Sequence, residues 1–159
     1  SLVQNFGQGF LNICKSLKAI AENFPDINIL YPVHLNPNVR KPVNELLSSI
    51  SNIKLVEPFH YEEFIYLMSK SYLILTDSGG IQEEGPSLGK PVLVMRDTTE
   101  RLEAFEVGTV KLVGTNQDNI FKEVKKLLID NNEYQKMCKA HNPFGDGKAS
   151  RKILNILKD

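Results

Sequence analysis

The sequence predicts an α/β fold: a doubly wound parallel sheet with helices on both faces. Three observations predict it. The apolar runs that read as strands, such as "INILYPV" and "YLILT", are short and continuous, as in strands buried on both sides. Amphipathic helical patterns separate them. A glycine turn, Ser78-Gly79-Gly80, directly follows one of the runs, where a doubly wound sheet passes from strand to helix.

The elements follow in order. Phe10, Ile13, Cys14, Leu17, Ile20 and Phe24 share one face of a helix of about four turns, which Pro25 and Asp26 stop. "INILYPV" (Ile27–Val33) is a strand. A helix around Arg40–Ile50 has Pro42 near its start, where proline is tolerated. "IKLVEP" (Ile53–Pro58) is the next strand; Phe64, Leu67 and Met68 mark a helix, and "YLILT" (Tyr72–Thr76) a strand. A short helix follows Gly80; Pro86, clashing with the carbonyl of Gln82, keeps it short or kinked. "PVLVM" (Pro91–Met95) and "TVKLVG" (Thr109–Gly114) are strands, and Ile120, Phe121, Val124, Leu127 and Leu128 form a helical stripe. Two short helices are expected near Glu133–Lys139 and Ser150–Leu157. The pattern opens on a helix where a doubly wound unit opens on a strand, so the sheet is expected to have a gap or unsatisfied edge near its middle. Dimerisation, aggregation or a rearranged edge of the chain by itself follows from that.

The 159 residues suffice for one domain. Hydrophobic content is 42%, and 19 Lys+Arg balance 19 Asp+Glu. Nothing in that balance argues for a nucleic-acid or anionic-membrane surface, so any bound anion must be held locally. Cys14 and Cys138 fall on apolar helical faces and read as buried thiols. Three histidines and two cysteines without ligand spacing exclude an obvious structural metal. No apolar run approaches the roughly 18 residues of a membrane span, and the first twenty residues lack a signal-peptide core. The expected compartment is the cytoplasm.

Ligands of open parallel sheets sit beyond the strands' carboxyl ends. A helix starting at Ser78-Gly79-Gly80 would point unpaired N–H groups outward, and glycines let a phosphate come close. Ser78 is a candidate cap or anion donor. Glu83 and Glu84 diverge by about 100° on a helix, so only one can face a ligand such as a ribose diol. Taken alone, the turn is as compatible with an ordinary strand-to-helix connection, since it is neither G-x-G-x-x-G nor a Walker loop. "MRDTTERLEA" (Met95–Ala104) follows the next strand; Arg96 and Arg101 are candidate anion clamps or surface partners of Asp97 and Glu100, and Thr98 and Thr99 candidate caps. Phe64 is a base-stacking candidate or a core residue beside Leu67 and Met68. His34, directly after a strand, is a ligand, a proton-transfer group or a loop organiser. His141 lies in the turn-rich "HNPFGDG".

Together, "YPVHLNPNVRKPV", "LILTDSGGIQEEGPSLGKPVLVMRDTTERLEA", "GTVKLVGT" and "HNPFGDG" resemble the C-terminal half of the non-hydrolysing UDP-N-acetylglucosamine 2-epimerases, in order and over nearly the whole chain. The resemblance implies a Rossmann-like domain, one of two in a glycosyltransferase-B-type architecture with the active site between them. It implies elimination of UDP across C1–C2 of UDP-N-acetylglucosamine, then re-addition with C2 inverted to give UDP-N-acetylmannosamine, with no redox cofactor. Carried over residue by residue, Ser78, Gly79 and Gly80 would hold the diphosphate, Glu84 the ribose, Arg101 a phosphate and Phe64 the uracil. His34 corresponds to a histidine at a second, activating UDP-N-acetylglucosamine site.

The chain also departs from the family. Ser1, Leu2 and Val3 stand where members carry the His-Arg-Arg of a His-Arg-Arg-Glu motif, Gly85 replaces an alanine and Phe144 a tyrosine. The family's catalytic carboxylates belong to its N-terminal domain. Residues 1–159 are therefore expected to be one UDP-binding domain, a fragment or separately encoded half, inactive alone and partnered by an N-terminal half and by further copies of itself. A non-catalytic nucleotide-sugar binding module and a glycosyltransferase of the same architecture are the alternatives.

Overall fold

The computed structural model describes residues 7–77, 89–97, 109–138 and 152–157. Helix α1 (Gln8–Asn23) leads to strand β1 (Asn28–Pro32), and α2 (Pro37–Leu47) to β2 (Ile53–Val56). Then come α3 (Tyr61–Lys70), β3 (Leu73–Thr76), β4 (Val92–Val94), β5 (Val110–Leu112), α4 (Gln117–Ile129), α5 (Asn131–Cys138) and β6 (Ile153–Leu157). The strands form one sheet in the order β2-β1-β6-β3-β4-β5, and every pair is parallel. The doubly wound α/β expectation holds.

Three expectations change. The sequence pattern predicts a short helix near Ser150–Leu157; Ile153–Leu157 is instead strand β6, at the centre of the sheet. Its apolar residues satisfy the helical template, but here they bond to β1 on one side and β3 on the other. The expected central gap is thereby absent, and the sheet is continuous. Finally, α2 begins before Arg40: Asn36 caps it by accepting the Asn38 N–H at 3.0 Å, and Pro37, not Pro42, takes the tolerated first position. Pro42 lies inside the helix, where it withholds the N–H that would bond the Asn38 carbonyl. The helix expected after Gly80 falls outside the described residues.

Side chains alternate across the central strands. Ile29, Tyr31, Leu73, Leu75, Leu93, Met95, Leu154 and Ile156 face a large core shared with α1, α2, α4 and α5. Ile74, Val92, Val94 and Val110 face a smaller one with Met68 of α3. Cys14 and Cys138 are both buried and not joined in a disulfide, as their patterns predicted. A stacked pair, Tyr72 and Tyr134, ties β3 to α5 with ring centroids 3.9 Å apart; Tyr134 Oη donates to the Tyr72 carbonyl and Tyr72 Oη to the Leu127 carbonyl.

One buried charge anchors α4 to β5. Lys111 Nζ lies 2.6 Å from Glu123 Oε2, with Lys126 at 3.6 Å. Burial disfavours the Glu123 carboxylate, but the hydrogen bond and charge of Lys111, with Lys126 behind them, hold it below its ordinary value. A lowered folded-state pKa adds stability above the ordinary carboxylate value, about 4.3, and loses it as pH falls through the folded value. Glu123→Gln is expected to cost about 1 kcal/mol at pH 7, a figure discounted for the half-exposed Lys111. Urea unfolding of both proteins at pH 7 and pH 3 checks this: the difference should shrink at the lower pH. Equal stabilities at pH 7 would remove the claim.

Candidate functional site

Because every strand pairing is parallel, all strand carboxyl ends lie along one edge of the sheet. The chain passes this edge at His34 after β1, Thr76-Asp77 after β3, Arg96-Asp97 after β4 and Gly114-Thr115 after β5. Since α3 runs back from the end of β2 to the start of β3, its first turns, with Phe64, stand at the same edge.

The edge is built mainly by local polar contacts. His34 is exposed, and its Nδ1 accepts the Asn36 N–H at 3.1 Å, so one ring nitrogen organises the turn into α2. Phe64 is partly buried against the Met68–Ile74–Val92 cluster. Arg96 is exposed. Asp97 turns toward the neighbouring loop: its carboxylate accepts from Thr115 N–H at 3.1 Å and from Thr115 Oγ1 at 3.2 and 3.1 Å. Gly114, at φ +75, allows this latch; a Cβ there would sit 3.2 Å from Asp97 Oδ1. Asn116 caps α4 by accepting the Asn119 N–H, and Asn119 Nδ2 donates to the Val113 carbonyl at 2.6 Å. Under the edge, Tyr31 is buried with no hydrogen-bond partner for its hydroxyl among the described residues. Burial pushes that hydroxyl well above its ordinary pKa, with Cys14 and the Asp77 carboxylate adding to the shift, so it stays neutral.

Of the candidates read from sequence, His34, Phe64 and Arg96 stand along this edge. Ser78, Gly79, Gly80, Glu83, Glu84, Thr98, Thr99, Arg101 and His141 lie outside the described residues. The hydrogen-bonded pairing of β3 with β4, Thr76 opposite Val94, makes the two segments leading into Ser78 and Arg101 direct neighbours at their starts. Sequence reasoning missed the Asp97–Thr115 latch, which joins residues 18 apart across two loops. The signal present was a glycine before a Thr-Asn helix start, which marks a turn but not its partner.

A family model described as UDP-N-acetylglucosamine 2-epimerase matches residues 3–158. The chain belongs to the UDP-N-acetylglucosamine 2-epimerase family. It is 68% identical over 154 residues to the UDP-N-acetylglucosamine 2-epimerase of Campylobacter jejuni, which covers 97% of this chain and 40% of that one. The Escherichia coli K12 enzyme is 60% identical over 156 residues, 98% of this chain and 42% of its own. Among solved structures, the Neisseria meningitidis epimerase bound to UDP-GlcNAc superposes with a TM-score of 0.82 at 54% identity, over 91% of this chain and 39% of that one. The Methanocaldococcus jannaschii epimerase in complex with UDP-GlcNAc and UDP gives 0.66 at 38% identity, over 77% and 34%. The epimerase-family chain therefore spans about two fifths of the length of the curated relatives it matches. Among its described residues no helix is long and apolar enough to cross a membrane, and no cluster of three or more His, Cys, Asp or Glu could hold a metal ion.

Proposed function

We propose that this chain is the UDP-binding half of an enzyme that interconverts UDP-N-acetylglucosamine and UDP-N-acetylmannosamine. The observation that carries the reading is the shared carboxyl edge of β3 and β4, from which the Ser78-Gly79-Gly80 turn and the Arg101 segment depart. In this reading Ser78, Gly79 and Gly80 offer backbone N–H groups and a hydroxyl to the diphosphate, and Arg101 pairs with a phosphate. Glu84 accepts from the ribose diol, Phe64 packs on the uracil, and His34 contacts a second, activating molecule of UDP-N-acetylglucosamine. Breaking the bond between UDP and C1 puts negative charge on the leaving diphosphate, and a pre-organised cradle stabilises that charge as it develops. Re-addition of the retained UDP with C2 inverted completes the epimerisation without a redox cofactor. The groups that move the C2 proton come from the other half of the enzyme, so this half binds without turning over. Its two buried, unbridged thiols suit the reducing cytoplasm.

Calorimetric titration with UDP tests the site. Arg101→Ala and Glu84→Ala should each weaken binding by about tenfold or more, the scale of a hydrogen bond to a charged group. Unchanged affinity in both variants would reject these roles. NMR of the chain incubated with UDP-N-acetylglucosamine should show no mannosamine epimer; robust turnover would show that it is not a half. A binding module without chemistry would bind UDP equally but stay inactive with the N-terminal part of a relative added.

A further inference from the structure

Strand β4 ends at Val94, and just beyond it the Met95 N–H donates to the Thr76 carbonyl at 2.7 Å. That is the last backbone bond to hold this segment among the described residues. Arg96 and Asp97 follow, both exposed. An exposed aspartate on a loop is ordinarily solvated, with its carboxylate free to turn. Asp97 is instead committed. Both of its oxygens accept from Thr115: the N–H reaches Oδ1 at 3.1 Å, and the hydroxyl lies 3.2 and 3.1 Å from Oδ1 and Oδ2.

Thr115 is itself well placed. The Val113 N–H donates to the Val94 carbonyl at 2.9 Å, so the loops after β4 and β5 start side by side. Gly114 then takes φ +75, a conformation other residues rarely adopt, and a Cβ there would crowd Asp97 Oδ1 at 3.2 Å. Thr115 also meets the first turn of α1: a Cβ on Gly9 would sit 3.6 Å from Thr115 Cβ and Cγ2. One carboxylate thus ties together the loop after β4, the loop after β5 and the start of α1. No cation among the described residues pairs with Asp97, so its work here is geometric. Hydrogen bonds open to water add little to global stability, because solvent replaces them. What they fix is local: Arg101 comes four residues after Asp97, and its segment sets out from a pinned residue.

We propose that Asp97 is a positioning residue for the diphosphate end of the site. It acts through Arg101 by fixing where that segment leaves the sheet, and not by touching the ligand. This role rests on the UDP-binding reading, in which Arg101 pairs with a phosphate. With the latch in place, part of the ordering of the segment is already complete before UDP arrives. Without it, each binding event must supply that order. Uridine has no diphosphate and is indifferent to the latch.

Titrations of the whole chain with UDP and with uridine test this. Asp97→Ala should weaken UDP about fivefold, the scale of ordering one or two side chains, and leave uridine within about twofold. Asp97→Asn keeps an oxygen for the Thr115 N–H and offers amide hydrogens to the Thr115 hydroxyl, so it should bind UDP within about twofold of the parent although the charge is gone. In the Arg101→Ala background, adding Asp97→Ala should change UDP affinity by less than about twofold, because both act through one contact. Uridine weakened as much as UDP would mean that the whole edge had loosened. Asp97→Asn as weak as Asp97→Ala would make the charge, not the latch, responsible. Additive losses in the double variant would separate Asp97 from Arg101. Each of these overturns the proposal. A loss in Arg101→Ala with none in Asp97→Ala rejects the latch and leaves the UDP site standing, whereas a parent chain that binds no UDP rejects both.

Discussion

Leu17→Ala is expected to lower the unfolding free energy by about 3–4 kcal/mol. Leu17 lies near the middle of α1, has no exposed surface and belongs to the core that the sheet shares with α1, α2, α4 and α5. Truncation removes three carbons from water-free contact and leaves a cavity that neighbours on rigid elements cannot fill; such changes cost about 2–5 kcal/mol. Against a total of about 5–15 kcal/mol the loss is large. The measurement is urea unfolding beside Leu35→Ala, a change at a side chain 54% exposed that should stay within about 0.5 kcal/mol of the parent. Similar midpoints for the two variants would mean that α1 does not pack as described.

Asn52→Asp should cost about 2–3 kcal/mol, although the two side chains have the same shape. Asn52 is buried in the turn before β2, and its Nδ2 donates to the carbonyls of Ala21, Phe24 and Ile27 at 3.0, 3.3 and 3.2 Å. That single amide gathers the end of α1, the turn after it and the entry to β1. A carboxylate in its place has no hydrogen to donate at neutral pH and faces three carbonyl oxygens with negative charge, leaving buried acceptors unpaired. Thermal unfolding at pH 7 should show the loss, and Asn52→Ala should fall between the two. A parent-like midpoint for Asn52→Asp would contradict the staple.

These two positions differ in how visible they are in the sequence. Leu17 belongs to a stripe with Phe10, Ile13, Cys14 and Ile20, and a repeat near 3.6 residues names its own buried face. Asn52 follows a serine and precedes an apolar run, which reads as an ordinary turn; its three acceptors lie 25 to 31 residues away. The candidate site divides in the same way. Phe64 and His34 are visible by residue type and by their place beside strands, and the structure adds that His34 Nδ1 is used by the turn into α2. The Asp97–Thr115 latch depends on β4 and β5 being neighbours, which no local pattern states.

The amino-acid sequence by itself determined the alternation of parallel strands and helices, the buried thiols and the family. Each of these is written in local periodicity or in contiguous motifs. Only the tertiary structure decided that "ILNIL" is a strand and where it lies. Its apolar spacing suits a helix and a buried strand alike, and a strand's hydrogen-bond partners are supplied by other parts of the chain. The open ladders of β1 and β3 made that choice, leaving between them an Asn155 amide with no hydrogen-bond partner among the described residues.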